Sequence, residues 1–146
     1  MIEVKKSAWE ESYSRHENFI YYPKEEVVKF INRLIKKKIS TTKYIDILQT
    51  NEEMKALDFG CGIGRNTVLL HEFNINGYGI DISENAINEA RNLAKHFNFD
   101  IGNNFQCYDG ENIPFSDNSF DFTISESVLD SLPFELAKEL IKEIDR

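Results

Sequence analysis

Between residues 55 and 144 the spacing of apolar positions switches back and forth between two periods. Lys55–Phe59 (KALDF) is short and mostly apolar, which predicts a buried strand. Arg65–Phe73 follows with helical spacing. Gly77–Ile80 predicts a second strand, ended by Asp81, and Ser83 is placed to cap the next helix. In that helix Ala86, Ile87, Ala90, Leu93, Ala94 and Phe97 fall on one stripe. Asn104–Cys107 predicts a third strand and Phe120–Ser125 a fourth, with Phe120, Phe122 and Ile124 expected on one side. Pro133 opens a last helix whose Leu136, Ala137, Leu140, Ile141 and Ile144 share a face. Strands alternating with helices imply right-handed βαβ units, a parallel sheet and the α/β class.

Ahead of this region Pro23 opens a helix with Val27, Val28, Ile31, Leu34 and Ile35 on one face. Lys36–Lys38 is expected at its C-terminus, where positive charge is favourable. Residues 39–54 fit either a short helix or a loop, and residues 1–22 are polar with interspersed aromatics. The chain therefore divides into an N-terminal helical cap segment, 1–54, and an α/β domain, 55–146.

The stretch ALDFGCGIGRN, Ala56–Asn66, sits at the turn between the first strand and its helix. Doubly wound sheets bind ligands at the carboxyl ends of their strands, and glycines there let the main chain approach a ligand closely. Gly60, Gly62 and Gly64 fit that role. Asp81 closes the next strand, where a carboxylate accepts hydrogen bonds from ribose hydroxyls. Together these residues predict a nucleoside site. The glycines are spaced GxGxG, unlike the GxGxxG of dinucleotide sites, and Asp58 lies two positions before them. A carboxylate there repels a pyrophosphate and favours an amine or a cation. S-adenosylmethionine carries both, so it is favoured over NAD(P).

Composition narrows the partners. The 146 residues include 17 basic and 25 acidic side chains, a net charge of −8. That balance argues against unaided binding to nucleic acid or to an anionic membrane. No run reaches the ~18 apolar residues of a membrane span, and the N-terminus lacks the apolar core of a signal peptide. A soluble, cytoplasmic protein is expected. Cys61 and Cys107 are expected as free thiols, and with His16, His71 and His96 scattered no metal site is expected.

Three stretches resemble the class I S-adenosylmethionine-dependent methyltransferases, of the small-molecule type. LDFGCGIGRNT (Leu57–Thr67) resembles the family's first motif, GIDIS (Gly79–Ser83) its second, and CYDGENIPFSDNSFDFTIS (Cys107–Ser125) its third and fourth. The resemblance implies a Rossmann-like, doubly wound parallel sheet of seven strands in the order 3-2-1-4-5-7-6. Only the 3-2-1-4 portion is expected here, because the chain stops inside the helix after the fourth strand. In that order Cys61 and Cys107 lie two strand spacings apart, ~10 Å, too far for a disulfide.

Residue by residue, the resemblance implies that Asp58 holds the methionine end of the cofactor and that Gly60, Cys61 and Gly62 pass beneath it. It implies Asp81 for the ribose, Ile82 for the adenine face, Asp109 and Gly110 for the adenine edge, and a Ser125 carbonyl for the amino group. After the fourth strand the sequence is Glu126-Ser127-Val128-Leu129-Asp130-Ser131, without the histidine or aromatic residues common in the family, and no general base is assigned. The implied function is methyl transfer from S-adenosylmethionine to a small-molecule acceptor, leaving S-adenosylhomocysteine. The alternatives are a non-catalytic cofactor-binding remnant and an NAD(P)-dependent oxidoreductase. Trp9, Tyr13 and Tyr22 are expected either as a lid or as ordinary core cover. An open edge at the fourth strand, or the final helix, is expected to favour homo-oligomers.

Overall fold

The fold is organised around Lys55–Phe59, here β3. In the computed structural model, which describes residues 2–146, β3 pairs in parallel with β4 (Asn76–Asp81) on one side and β6 (Phe122–Ser125) on the other. β5 (Phe105–Cys107) pairs in parallel with β4. In chain order these four strands lie third, second, first, fourth, the order that the resemblance implies. Side chains along β3 alternate between faces. Ala56 packs with Leu70, Phe73 and Ile124, and Asp58 turns toward Thr67. Leu57 and Phe59 pack on the other side with Ile80, Ile113 and Leu140.

The crossovers are α3 (Arg65–Glu72) and α4 (Glu84–His96). The Ser83 hydroxyl caps α4, accepting from the Ala86 amide at 3.1 Å. Ala86, Ile87, Ala90, Leu93 and Ala94 are buried, while Phe97, at the end of the stripe, is 41% exposed. The last helix, α5 (Phe134–Ile144), buries Leu140 against Leu57 and Phe59 and leaves Ile141 exposed.

The first 54 residues differ from expectation. Residues Ile2–Ser14 form a helix, α1. The helix after Pro23 is α2 (Glu25–Phe30), continued by one π turn over Ile31–Ile35. Lys36–Lys38 does not end that helix. It is a strand, β1, in an antiparallel hairpin with β2 (Tyr44–Asp46). The reason is that two of the three lysines lay their stems on the core. Lys36 is 7% exposed, with its Nζ 2.8 Å from the Asn74 carbonyl and 3.2 Å from Asp46. Lys38 lies over the Tyr44 and Phe73 rings. The segment 1–54 is thus helical only in part.

Phe120 also departs from expectation. Phe122 and Ile124 join the cluster around Ala56, whereas Phe120 packs with Tyr78 and Phe115 on the opposite side. Asp121 intervenes: its carboxylate accepts from the Lys55 amide and its own amide donates to the Lys55 carbonyl. That pair of hydrogen bonds between Asp121 and Lys55 pins the start of β6, and the regular alternation begins only after it.

Candidate cofactor site at the carboxyl end of the sheet

A cavity of about 320 Å³ opens at the carboxyl ends of the four parallel strands, roofed on one side by α1. Its floor is the turn from β3 to α3. Gly60, Gly62 and Gly64 all have positive φ, at 71°, 53° and 81°, conformations that cost side-chain-bearing residues ~1–2 kcal/mol. Space is equally restrictive. A Cβ on Gly60 would lie 2.2 Å from Val128 Cγ2, and one on Gly62 would lie 2.7 Å from the Tyr13 hydroxyl.

Asp81 closes β4 and braces this turn. Its Oδ2 accepts from the Gly62 amide at 2.9 Å and its Oδ1 from the Ser83 amide at 3.0 Å. Burial raises its carboxyl above the usual range, against the pull of those amides. Asp58 lies deeper, 1% exposed, with its Oδ2 accepting from the Thr67 hydroxyl at 2.7 Å. Desolvation pushes its carboxyl up to about 7, and the charges of Asp81 and Glu126 add to the effect. Burial also raises Cys61, as an inert thiol rather than a nucleophile. Cys61 and Cys107 are both free.

Of the nine residues singled out from the sequence, Gly60, Cys61, Gly62, Asp81, Ile82 and Gly110 line the cavity. Asp58 stands behind the glycine turn. The Asp109 carboxylate is spent on its own turn, accepting from the Glu111 and Asn112 amides at 2.8 Å and from Asn112 Nδ2 at 3.0 Å. Those three donors hold it down at about 2. Ser125 ends β6 with a buried hydroxyl that has no hydrogen-bond partner.

Two groups of lining residues lie outside those nine, although Trp9 and Tyr13 are expected from the sequence as either lid or core cover. The first is the inner face of α1: Ile2, Lys5, Trp9 and Tyr13. Ile2 meets the spot where a Cβ on Gly110 would be, at 2.8 Å. Lys5 donates to the Ser131 carbonyl, and Glu10 accepts from the Asn85 amide at the start of α4. Their spacing is helical, and that was the available signal. Tyr13 resolves the earlier alternative: with Trp9 it walls the cavity rather than covering the first core helix, and burial followed by Asp81 raises its hydroxyl. Tyr22 is 82% exposed. The second group is ionic. Glu126 pairs with Arg65 at 2.6 Å and Lys24 at 2.9 Å, and accepts from Asn66 at 3.2 Å. Burial opposes ionisation of Glu126, but Lys24, Asn66 and Arg65 outweigh it and hold the carboxyl below its usual range. No local period links residues 24, 65 and 126, so this set is invisible in the sequence.

The cavity end is rich in acceptors. Asp81 and Asn66 line it, and Asn66 Oδ1 is buried without a partner, while Asp58 and the unpartnered Ser125 Oγ lie outside the lining. A ligand that brings donors and positive charge would satisfy Asn66 Oδ1 and suit the two buried aspartates.

Comparison with known proteins agrees with this architecture. A profile described as "Methyltransferase domain" matches residues 50–146. A phosphoethanolamine N-methyltransferase of Plasmodium falciparum is 28% identical over 108 residues, covering 71% of this chain and 38% of that protein. An uncharacterised protein of Haemophilus influenzae is 30% identical over 97 residues, 66% of this chain and 39% of its own length. The chain thus spans about two fifths of these relatives. Among solved structures, an S-adenosylmethionine-dependent methyltransferase of Aquifex aeolicus superposes with a TM-score of 0.50 at 25% identity, covering 64% of this chain and 51% of that one. A Methanococcus maripaludis protein covers 97% of this chain and 57% of its own with a TM-score of 0.63; at 19% identity it shows the fold alone. With the profile matching well over half of its length and the strand order in place, the chain belongs to the methyltransferase-domain family, in its class I S-adenosylmethionine-dependent form.

Proposed function

We propose that this chain is the cofactor-binding part of a methyltransferase that uses S-adenosylmethionine on a small-molecule acceptor. The observation that carries the reading is the pairing of buried Asp58 and Asp81 and the unpartnered Asn66 Oδ1 with a glycine turn too tight for any side chain. S-adenosylmethionine brings an ammonium group, a sulfonium and a ribose diol, the donors and positive charge that this set lacks. In this reading Asp81 takes the ribose hydroxyls, Ile82 and Gly110 flank the base, and Gly60–Gly62 supply backbone beneath the methionine portion. Asp58 acts from behind, as buried negative charge. Asp109 contributes by fixing the turn that presents Gly110.

When bound, the cofactor supplies a methyl group activated on a positively charged sulfur. The chain's own part is alignment and exclusion of water. Trp9 and Tyr13 wall one side, and the Glu126–Arg65–Lys24 set ties the segment before α2 to the end of β6. The acceptor is proposed to enter beside Ser127 and Ser131, which line the same cavity.

Calorimetric titration with S-adenosylhomocysteine and with NADH tests this reading. Saturable binding of the first and none of the second is expected. Tighter binding of NADH would overturn it in favour of an oxidoreductase.

A further inference from the structure

The charge of this protein is segregated. Residues 27–45 hold six basic side chains, Lys29, Arg33, Lys36, Lys37, Lys38 and Lys43, and no acidic one. The remainder holds 11 basic (17 − 6) and 25 acidic side chains. Glu25, Glu26 and Asp46 flank that window, so residues 25–46 carry six basic and three acidic side chains, a local excess of +3 (6 − 3) in a chain of net charge −8.

The hairpin builds a positive surface. Lys36 and Lys38 pair with Asp46 and Tyr44 across the ladder and turn inward. Lys37 stands opposite Ile45 on the outer face, and the Ile39 amide donates to the Lys43 carbonyl, placing those two in the same outer row. The outer face thus presents Lys37, Ile39, Lys43 and Ile45, with both isoleucines 52% exposed. Lys29 and Arg33 from the adjoining helix share an open groove with Lys38 and Ile39. Lys29 pairs with Glu25 and Lys36 with Asp46. Arg33, Lys37, Lys38 and Lys43 make no ion pair among the described residues.

We propose that the β1–β2 hairpin with the adjoining turn of α2 is a docking surface for an anionic lipid bilayer. Lysines flanking exposed isoleucines suit the interface, where the cations meet lipid phosphates and the apolar side chains enter the acyl boundary. A nucleic acid would use the cations but not the isoleucines, and no aromatic ring stands on the outer row for bases to stack on. Two of the acidic groups nearest the patch are taken up in ion pairs, Glu25 with Lys29 and Asp46 with Lys36, and charges beyond ~10 Å are screened at 0.1 M salt. Docking does not block the cavity. The hairpin is tied to the end of α3, with the Tyr44 hydroxyl 2.5 Å from the Glu72 carbonyl and Lys36 Nζ on Asn74, at the amino end of β4. The cavity lies at the carboxyl end.

Co-sedimentation with vesicles tests the proposal without reference to methyl transfer. The probes are phosphatidylcholine vesicles with and without an equal part of phosphatidylglycerol, at low and at physiological salt. Each cation near such a surface strengthens partition about fivefold (~1 kcal/mol), so Arg33, Lys37 and Lys43 together predict about a hundredfold preference for the anionic vesicles. Lys37→Ala and Lys43→Ala should each lower partition about fivefold, and Ile39→Ser or Ile45→Ser should lower it with the salt dependence retained. All four positions are exposed, and an unchanged thermal melt certifies each variant as folded. Equal partition on both vesicle types would overturn the proposal. So would isoleucine variants that bind as well as the parent, or a single-stranded oligonucleotide that binds tightly and is equally indifferent to the isoleucines.

Discussion

Gly60→Ala is the substitution for which the structure gives the sharpest number. Gly60 has φ of 71°, which costs alanine ~1–2 kcal/mol. The added Cβ would also stand 2.2 Å from Val128 Cγ2, with Val128 Cβ and Cγ1 both at 3.3 Å. Val128 is β-branched and stiff at χ1, and its Cβ already lies at 3.3 Å, so turning the side chain alone does not make room and the loop after β6 must shift. Such overpacking costs ~1–3 kcal/mol. The variant should therefore lose about 2–5 kcal/mol, read by urea unfolding followed by circular dichroism. Val128→Ala in the same chain removes the clash but not the backbone cost. The pair should thus show a favourable coupling of ~1–3 kcal/mol in a double-mutant cycle. Gly102→Ala is the control: its Cβ meets nothing within 4 Å and its φ is ordinary, so it should stay within ~0.5 kcal/mol of the parent. The reasoning is refuted if Gly60→Ala is as mild as the control, or if the two changes at 60 and 128 simply add.

Four further outcomes are expected. Asp58 has a folded-state pKa of about 7, raised from 3.8, so the native state holds its proton between those values and stability falls as pH rises from about 4 to 7. Asp58→Asn should flatten that slope in pH-dependent urea melts, and an unchanged slope would show that Asp58 is not its source. Since a cationic ligand favours the ionised carboxylate, S-adenosylmethionine should bind the parent more tightly as pH passes upward through 7, with proton release visible in buffers of different ionisation heat; no such release would place the ligand's charge elsewhere. Asp81→Ala should weaken S-adenosylhomocysteine binding more than Asp109→Ala, because Asp81 lines the cavity whereas Asp109 is engaged in its own turn, and equal losses by calorimetry would reverse that ranking. β6 is an edge strand among the described residues, so the chain should self-associate in light scattering over a dilution series; a monomer at high concentration would show the edge to be adequately covered by Phe30, which packs on Phe122.

The parts of the fold that were legible in the sequence are those whose burial follows a single period. β3, α3, β4 and α4 each bury one face or both against a core, and the Ser83 cap is a local hydrogen bond between near neighbours. What was not legible follows other rules. α1 has no buried residue, and its inner face mixes Lys5 with Trp9 and Tyr13 because it lines a cavity. Lys36–Lys38 reads as a charged helix end until Asp46, Asn74 and the Tyr44 and Phe73 rings are brought to it by the fold. At the site, Asp81 was legible as a strand-end acid, but its bond to the Gly62 amide depends on how the two βα turns meet. Asp109 carried a motif position yet faces its own turn, a choice made by the Asn112 side chain.

The position of β3 also bears on the order in which the molecule assembles. Ala56 faces Gly77, 21 residues onward (77 − 56), and Phe122, 66 residues onward (122 − 56). Closing the longer loop costs only ~1 kcal/mol more in chain entropy, a small difference for an isolated chain. On a ribosome the difference is temporal, because β4 emerges long before β6. Throughout that interval the most deeply buried strand of the finished protein is an edge, with one row of backbone groups unpaired and Leu57 and Phe59 awaiting the cover of α5. The nascent chain therefore passes through a stage at which its future centre is its stickiest surface.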